Sequence, residues 1–316
     1  MSTITQLEYV VALDRERHFG NAARVCHVSQ PTLSAQIQKL EDELDVIIFD
    51  RSKKPIIASE TGIEVIEQAR VILREHRKIF DIASQGGLEP RGAFNLAVIP
   101  TLAPYLIPLF VNSFSKNFPK VQIKINEHQT DDIIRLLVED EIDAGILVTP
   151  LKDDRLIERH LFFEPFYAYV SQDHYLSSCD LISEGEMDIS GLWILEEGHC
   201  FRNQVLKICS LEKSGTVLPN VEFASGNLET LKTLVRKSTG YTLLPELAVN
   251  DLSQHDLNTY IRSFKKPVPT REVSIVHSRS FLKEKTISAL EQSILKHLPP
   301  IIRSLKRKDI EVVDIF

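Results

Sequence analysis

The sequence has 316 residues, of which 43% are hydrophobic and 26% charged, a composition typical of a soluble globular protein with two or three domains. It contains no apolar run of the roughly 18 residues that a membrane span needs, and its start lacks the features of a secretory signal, so we expect a cytoplasmic protein without membrane association. The formal net charge of −7 argues against indiscriminate nucleic-acid binding but leaves room for a local basic face.

The first 59 residues begin with three predicted short helices. Apolar residues at helical spacing define the first helix in 7–13 and the second in 19–23. Ser29 is a good N-cap for the third helix, because Pro31 then falls in the first turn, where its missing N–H has no consequence. The third helix is expected to bury one apolar stripe, made of Leu33, Ile37, Leu40 and Leu44.

A small hairpin and a long helix follow. Segments 46–49 and 56–57 are predicted strands around a basic tip, and Ser59 or Thr61 is the expected cap of a helix that runs to about Ser84. Apolar residues of this helix recur at alternating steps of three and four, which favours pairing with a second copy. These residues are Ile66, Ala69, Leu73, His76, Phe80 and Ala83. Gly86 and Gly87, with 90–92, mark a predicted hinge.

From residue 93 the pattern changes to alternating strands and helices. Strands are predicted at 94–99, 121–125, 142–148, 166–170, 193–195, 241–244 and 273–276, and helices at 102–118, 131–139, 200–211, 228–237 and 281–297. This alternation favours parallel sheets with helices on both faces. The length suggests two such lobes, with a ligand-binding cleft at the carboxyl ends of the strands.

The segment 19–44 has the pattern of a DNA-reading helical pair. An apolar face would dock the third helix on its own domain, while short polar side chains on its other faces would reach base edges and phosphates. An ordinary helical hairpin with a polar outer face is the alternative. Charge does not separate the two, because residues 1–59 contain seven basic and eight acidic side chains.

The segments 19–23, 28–37, 40–41 and 49–51, with Leu44, together resemble the signature of the LysR-type regulators. The resemblance implies an α/β chain with a winged helix-turn-helix at 1–59, a linker or dimerisation helix and hinge at 60–90, a two-lobed effector domain like periplasmic binding proteins at 91–300, and a C-terminal tail at 301–316. The implied partners are double-stranded promoter DNA, a second copy of the chain within a homotetramer, and RNA polymerase. The residues expected to contact DNA are Ser29, Gln30, Pro31, Thr32, Ser34, Gln36, Lys39, Arg51, Lys53 and Lys54.

Four cysteines, Cys26, Cys179, Cys200 and Cys209, are too few for a disulfide framework, and without paired CxxC motifs we expect no metal and no cofactor. Cys200 opens a predicted helix beside His199 and Arg202, a position that lowers the pKa of a thiol. A thiolate attacks peroxide and gives a sulfenic acid that a second thiol can resolve. The alternative is that both thiols are inert.

Helix geometry separates the two thiols. If 200–209 is one helix, the two Cα atoms lie about 13 Å apart along its axis. A disulfide requires Cα atoms within about 7 Å, so the pair closes only when the helix unwinds. Oxidation would then remodel the segment, which is what a switch requires.

The segments 99–101, 104–108, 118–120, 127–130, 198–209, 228–231 and 240–245 are similar to the peroxide-responsive members of the LysR family. The resemblance implies Cys200 as peroxidatic thiol and Cys209 as resolving thiol. The residues implied to hold peroxide or assist the thiol are Thr101, Thr130, His199, Arg202 and Arg271. Asn203 departs from the family pattern, in which an acidic residue is expected.

Three of these polar residues also have simpler interpretations. Thr130 could cap a helix that begins at Asp131, Thr101 could be a turn residue after a strand, and His199 could be a structural histidine.

We therefore expect a peroxide-responsive transcription regulator that activates antioxidant genes and is not an enzyme. A LysR-type regulator that binds a small metabolite in the cleft between the lobes, with inert cysteines, is the closest alternative. A thiol peroxidase that uses Cys200 is disfavoured by the helix-turn-helix and by the lack of a recycling motif such as CxxC. The missing export signal disfavours a solute-binding protein.

Overall fold

The computed structural model describes residues 2–84, 89–183, 186–187, 191–209, 226–278 and 283–315, with the backbone alone for 77, 78 and 81–84. The chain forms two compact units, Met1–Gly86 and Gly87–Phe316. The hinge expected at Gly86 and Gly87 lies outside the described residues. Within the described ranges, no helix is both long and apolar enough to span a membrane.

The first unit has the expected three short helices, hairpin and long helix. Its elements are α1 (Ile4–Glu16), α2 (Phe19–Val25), α3 (Gln30–Leu44), β1 (Phe49–Asp50), β2 (Ile57–Ala58) and α4 (Glu60–Ser84). Ser29 caps α3, because its hydroxyl accepts the backbone N–H of Thr32 at 3.3 Å. Ser59, rather than Thr61, caps α4 through the N–H of Gly62 at 2.9 Å.

The buried face of α3 differs from the expected stripe at its last position. Leu33, Ile37 and Leu40 are fully buried, but Leu44 is 43% exposed, so its expected burial is wrong. The helix ends at Asp45 in a left-handed conformation, and its last turn extends beyond the core. Glu41 is buried instead, and its carboxylate accepts the N–H groups of Ile48 and Phe49.

The seam expected along α4 is wrong in its first half. Ile66, Ala69 and Leu73 are buried in the core of their own unit, because α1 covers this face. Arg70 of α4 adds a 2.6 Å ion pair to Asp14 of α1. The exposed large apolar residues of α4, which we call the outer row, are Ile63, Val71, Ile72, Ile79 and Phe80, and of these only Phe80 belongs to the expected seam.

The second unit begins with β3 (Gly92–Val98), α5 (Ala103–Asn117), β4 (Val121–Glu127), α6 (Thr130–Val138), β5 (Ala144–Thr149), β6 (Leu156–Val170) and β7 (Leu181–Ile182). It continues with α7 (Cys200–Ile208), α8 (Leu228–Lys237), β8 (Tyr241–Pro245), α9 (Glu246–Asn250), α10 (Gln254–Tyr260), β9 (Ile261–Phe264), β10 (Val268–Ser278), α11 (Glu284–His297), α12 (Pro300–Ser304) and β11 (Ile310–Val312). Short 3₁₀ helices lie at Tyr175–Ser178 and Arg307–Asp309.

The strand predicted at 193–195 is absent from this described segment. A single bridge joins Leu192 to Tyr241, and Trp193 donates its N–H to the Tyr241 carbonyl at 2.8 Å. One such contact does not make a ladder, so the apolar pattern there reflects burial rather than strand pairing. The helix ends expected at Leu211 and Phe281 lie outside the described residues.

The sheet is mixed, so the expectation of parallel sheets is wrong. Its order is β4-β3-β5-β10-β6-β9-β7, with β11 beside β10 and β8 beside β6. Only β3 with β4 and β5, β10 with β11, and β7 with β9 are parallel among the described pairs. The difference arises from the long antiparallel pair of β6 and β10. The first half of β6 was not predicted as a strand, because residues 158–160 are polar and interrupt the hydrophobic pattern.

Strand β6 connects two lobes of the second unit. Its residues 156–165 pair with β10, and its residues 166–170 pair with β8. The first lobe contains β3, β4, β5, α5 and α6, and the second contains α7 to α10 with β7 to β9. The sheet curls at β6 from one lobe into the other, as a two-lobed effector domain requires.

Candidate functional site

Cys200 is the first residue of α7, directly after a turn that only glycine fits well. Gly198 has a φ of +91°, a left-handed conformation that L side chains rarely adopt. A Cβ atom there would lie 2.4 Å from the Gln129 Oε1 atom, so the side chain of Gln129 is packed against this turn. Phe201, Val205 and Ile208, all buried, anchor α7 in the apolar core.

The start of α7 lies in a small pocket at the carboxyl ends of two parallel strands. Residues 99–101 follow β3, 129–130 follow β4, and 198–200 lead into α7. The empty space between them is about 170 Å³, including its opening to solvent. The lining residues are Ile99, Pro100, Thr101, Gln129, Thr130, Gly198, His199 and Cys200. The pocket thus joins the first lobe to the helix that holds the candidate reactive thiol.

Thr130 contributes a buried hydroxyl to this pocket. It is the first residue of α6, and the N-cap is Gln129, so Thr130 is not the cap of that helix. Its hydroxyl is buried and has no hydrogen-bond partner among the nitrogen and oxygen atoms of the described residues. It lies against the thiol of Cys200 and lowers the pKa of that group. The simpler interpretation of Thr130 as a helix cap is therefore wrong.

Thr101 is fixed by Arg271, and both are fully buried. The Arg271 Nη1 atom donates to the Thr101 hydroxyl at 3.1 Å, and Nη2 donates to the Thr101 carbonyl at 3.2 Å. Thr101 is therefore more than a turn residue after β3. Arg271 does not line the pocket itself but reaches it through Thr101. Its guanidinium also lies 5.8 Å from the centre of the Phe201 ring.

The net pKa shift of Cys200 is opposite to the expectation. Burial raises the pKa of the thiol above its ordinary value, and this outweighs the lowering by Thr130, by the charge of Arg271 and by backbone N–H groups at the start of α7. His199 does not contribute a positive charge, because burial lowers the pKa of its ring. In the reduced protein Cys200 is therefore a thiol, and Thr130, Arg271 and the backbone N–H groups nearby favour its ionisation.

Arg202 does not line the pocket. Its Nη1 atom donates to the carbonyl of Leu195 at 2.8 Å, so the guanidinium ties α7 to the segment before it. That Arg202 binds peroxide therefore stays a prediction, and the position of its side chain does not favour it. Among the implied residues, Thr101, Thr130, His199 and Cys200 are brought together directly.

Cys209 is the C-cap of α7 and is buried in the apolar core. Cys200 and Cys209 are not bonded to each other, and the hydroxyl of Tyr241 donates to the Cys209 sulfur at 3.9 Å. Because α7 is helical from Cys200 to Ile208, the two Cα atoms are separated by about 13 Å of helix. A disulfide between them requires α7 to unwind.

The end of the chain holds α7 in place. The side chains of Gln204 and Asn203 donate to the carbonyls of Val313 and Ile315 at 2.8 and 3.3 Å. Strand β11 precedes these carbonyls and pairs with β10, and Ile315 is buried. The described residues 301–315 of the segment predicted to be a C-terminal tail are thus packed into the second unit. Asn203 fills a structural position here, where the family pattern has an acidic residue.

The residues expected to contact DNA lie on the exposed parts of α3 and the hairpin. Ser29, Gln30, Pro31, Thr32 and Lys39 are exposed, as are Lys53 and Lys54, whereas Ser34 and Gln36 are half-buried. Arg51 is already engaged, because its guanidinium donates to the buried Glu41 at 2.6 Å and lies 5.5 Å from the centre of the Phe19 ring. We therefore interpret Arg51 as a residue that shapes the hairpin.

Sequence reasoning missed three residues that line or support the pocket. Gln129 and Gly198 lie within the segments 127–130 and 198–209 that carry the resemblance, but neither was assigned a role. Glu164, which pairs with Arg271, was not considered at all. Its one available signal was a single acid within the apolar run 161–166, since a charge in such a run is rarely buried without a partner.

Comparisons with known proteins agree with this architecture. Residues 4–63 match the family described as "Bacterial regulatory helix-turn-helix protein, lysR family", and residues 87–299 match "LysR substrate binding domain". The chain is 34% identical to the "Hydrogen peroxide-inducible genes activator" of Pectobacterium carotovorum, covering 96% of this chain and 99% of that protein. It is 36% identical to the "DNA-binding transcriptional dual regulator OxyR" of Escherichia coli, covering 87% and 88% respectively.

Solved structures give the same result. Full-length OxyR of Pseudomonas aeruginosa, with a cysteine-to-aspartate substitution, matches with a TM-score of 0.75 and 34% identity over 94% of this chain and 99% of that chain. OxyR of Porphyromonas gingivalis matches with a TM-score of 0.64 and 29% identity over 71% of this chain and all of that chain. The chain therefore belongs to the LysR family of bacterial helix-turn-helix transcription regulators.

Proposed function

We propose that this chain is a peroxide-responsive, promoter-binding transcription regulator that is switched by oxidation of Cys200 and formation of a Cys200–Cys209 disulfide. The observation that carries the proposal is the buried hydroxyl of Thr130, which has no nitrogen or oxygen partner among the described residues and lies against the Cys200 thiol in a very small pocket. Drug-sized ligands occupy pockets of about 300–1,000 Å³, so the size of this one favours a molecule like peroxide over a metabolite.

The first step is the attack of the Cys200 thiolate on one oxygen of hydrogen peroxide. The S–O bond forms, the O–O bond breaks, and the second oxygen leaves as hydroxide, which takes up the proton that Cys200 lost on ionisation and becomes water. Because the Thr101 oxygen accepts the Arg271 N–H, its hydroxyl can donate a hydrogen bond to the departing oxygen. The Thr130 hydroxyl can meanwhile stabilise the thiolate before the attack.

The second step is the attack of the Cys209 thiolate on the sulfenic sulfur. The S–S bond forms, the S–O bond breaks, and a second hydroxide takes a proton, so one peroxide oxidises two thiols and yields two waters. This step requires α7 to unwind and to lose its contacts with the end of the chain. The resulting rearrangement of the second unit is the signal that alters promoter binding.

The remaining parts of the proposal follow from the family and from its named relatives. We propose that the exposed residues of α3 and the hairpin bind promoter DNA and that α4 forms the dimer. The assembled protein is then a homotetramer that contacts RNA polymerase. The relatives named hydrogen peroxide-inducible genes activators support activation of antioxidant genes. Such a protein acts in the cytoplasm and oxidises its own thiols without sustained turnover, so we do not assign it as an enzyme.

The test is mass spectrometry of the reduced full-length protein before and after one equivalent of hydrogen peroxide. We expect the loss of two hydrogen atoms, mapped to a cross-link between the Cys200 and Cys209 peptides. Cys200→Ser should abolish both the cross-link and the promoter response, and Cys179→Ser is the matched control that should change neither. A promoter response that survives Cys200→Ser would refute the proposal, and continued peroxide consumption with a thiol reductant would instead indicate a peroxidase.

A further inference from the structure

We propose that Glu164 is a positioning residue for the peroxide reaction, which fixes the Arg271 guanidinium and sets how much of its positive charge reaches Cys200. The inference rests on the proposed function and deepens it. It arises from a buried carboxylate that lies outside the pocket lining but contacts the group that holds Thr101.

Both oxygens of Glu164 are fixed. Glu164 and Arg271 are directly opposed in the antiparallel pair of β6 and β10, so their side chains lie on the same face of the sheet. The Glu164 Oε2 atom accepts both Nε and Nη2 of Arg271 at 2.8 Å. Its Oε1 atom accepts the backbone N–H of Leu247, in the first turn of α9, at 2.8 Å. The carboxylate therefore cannot rotate without breaking one of these bonds.

This arrangement selects the edge of Arg271 that faces the pocket. A guanidinium has five N–H donors in a rigid plane, and Glu164 occupies the edge formed by Nε and Nη2. The remaining donors of Nη1 and Nη2 then point at the hydroxyl and carbonyl of Thr101. Glu164 thus determines the position of Thr101 through Arg271, although it touches neither peroxide nor sulfur.

Glu164 also limits the electrostatic effect of Arg271. The positive charge of Arg271 favours the thiolate of Cys200, and the negative charge of Glu164 beside it weakens that effect at longer range. The other titratable groups around this pair are Glu246 on α9, Tyr105 on α5 and, across the pocket, His199. Glu164 therefore acts in two separable ways, through position and through charge.

Glu164→Gln removes the charge and also disturbs the position, and two readouts distinguish these effects. One oxygen becomes an NH₂ group, which must face a donor of either Arg271 or Leu247, so one of the two contacts is lost. In reduced full-length protein, we expect the midpoint of Cys200 alkylation by iodoacetamide to move down by about one pH unit, or about tenfold more thiolate below the midpoint. The ratio of the peroxide rate to the alkylation rate at one pH should fall about tenfold or more, because Thr101 is displaced.

Two further variants complete the experiment. Glu158→Gln is the matched control, since Glu158 lies on the same strand and its carboxylate also accepts a backbone N–H, that of Leu151 at 2.7 Å. It should leave both readouts unchanged. Glu164→Asp keeps the charge but shortens the reach, so we expect the wild-type midpoint with a reduced peroxide ratio, and this variant decides the question if Glu164→Gln does not fold.

The inference is overturned if Glu164→Gln lowers the melting temperature but leaves the midpoint and the ratio at wild-type values, since Glu164 would then be a structural ion-pair partner only. A wild-type ratio in Glu164→Asp would overturn the positional part in the same way. The alkylation midpoint is measured without peroxide, so it reports on Glu164 even where wild-type protein shows no preference for peroxide. A wild-type protein without a preference for peroxide would refute the proposed function, but it would leave the effect of Glu164 on the thiol intact.

Discussion

At the scale of single residues, neighbouring carboxyl groups show how the surroundings set the charge of a buried acid. Glu164 is balanced by Arg271, whereas burial raises the pKa of Glu246 to about 7. The hydroxyl of Tyr167 lowers the pKa of Glu246, and the negative charge of Glu164 raises it further. Glu246 is therefore close to half-ionised at neutral pH, next to the pair that supports the pocket.

This pKa has a consequence for stability. Because the pKa of Glu246 is higher in the folded than in the unfolded protein, its favourable contribution is complete below about pH 4.5 and is lost as the pH rises through 7. Glu246→Gln should therefore stabilise the protein at pH 8 by about 1–2 kcal/mol, after allowance for solvent screening, and by less at pH 5. Urea denaturation at both pH values measures this, and an equal gain at the two would point to packing instead of ionisation.

A second residue-scale prediction concerns the thiol itself. Thr130→Val keeps the shape of the side chain but removes the hydroxyl that favours the Cys200 thiolate. We expect a further rise in the pKa of Cys200 and a peroxide reaction slower by about tenfold at pH 7. The rate constant of peroxide reaction, measured from pH 6 to 10, gives both quantities. Thr130→Ser retains the hydroxyl and should behave like wild type, and an unchanged profile in Thr130→Val would exclude this role.

At the scale of elements, α7 is the helix that the proposed Cys200–Cys209 disulfide requires to unwind. Its apolar residues hold it in the core, and the buried Gln204 and the exposed Asn203 add side-chain hydrogen bonds to the carbonyls of Val313 and Ile315. In the helical form Asn203 and Gln204 face the carbonyls of Ile315 and Val313, so unwinding of α7 would break both bonds. We therefore expect the segment 313–315 to favour the reduced form.

Gln204→Leu tests this point, because it removes the donor to the Val313 carbonyl within a similar volume. Val313 is half-buried, so the lost hydrogen bond is worth about 1 kcal/mol, and the helical form should be less favoured. We expect the sulfenic acid to form at the wild-type rate and the disulfide to follow about fivefold faster or more. Quenched-flow mass spectrometry separates the two steps. Asn203→Ala, which loses a longer contact, should have a smaller effect, and a slower disulfide step in Gln204→Leu would contradict the prediction.

Local elements could be predicted from the sequence, and contacts between distant segments could not. The cap at Ser29, the start of α7 at Cys200 and the limits of α8 depend on neighbouring residues, and the structure confirms them. The pairing of Glu164 with Arg271 depends on the register of two strands more than 100 residues apart. Nothing near either residue encodes that register, so the partner of Arg271 was missed.

The same distinction explains the errors in the first unit. Leu33, Ile37 and Leu40 follow from helical spacing, but the exposure of Leu44 depends on where the core ends. The burial of Glu41 depends on the hairpin, whose backbone N–H groups need an acceptor. Periodicity identifies which residues share a face of a helix, but it does not identify what covers that face.

At the scale of the whole molecule, the proposed dimer depends on which face of α4 remains available. The positions first expected to pair with a second copy include Ile66 and Leu73, and these are buried within their own chain. The outer row contains Ile72 and Ile79, which are seven residues apart, the spacing of a coiled-coil seam. Ile79 is 62% exposed, and the neighbouring Phe80 is 64% exposed. Such exposed apolar side chains on one helix are the expected sign of a partner.

The two faces of α4 can be distinguished by one substitution on each. Ile79→Glu places a charge in the outer row, so we expect a shift of the assembly toward smaller species at a given concentration, with little change in the melting temperature. Leu73→Ala opens a cavity in the core of the first unit and should lower its stability by about 2–5 kcal/mol without changing the assembly. Sedimentation velocity with thermal denaturation measures both effects. If Leu73→Ala instead dissociated the protein while Ile79→Glu left it intact, the seam inferred from spacing alone would be the true interface, and α1 would have to move away from α4 when two copies meet.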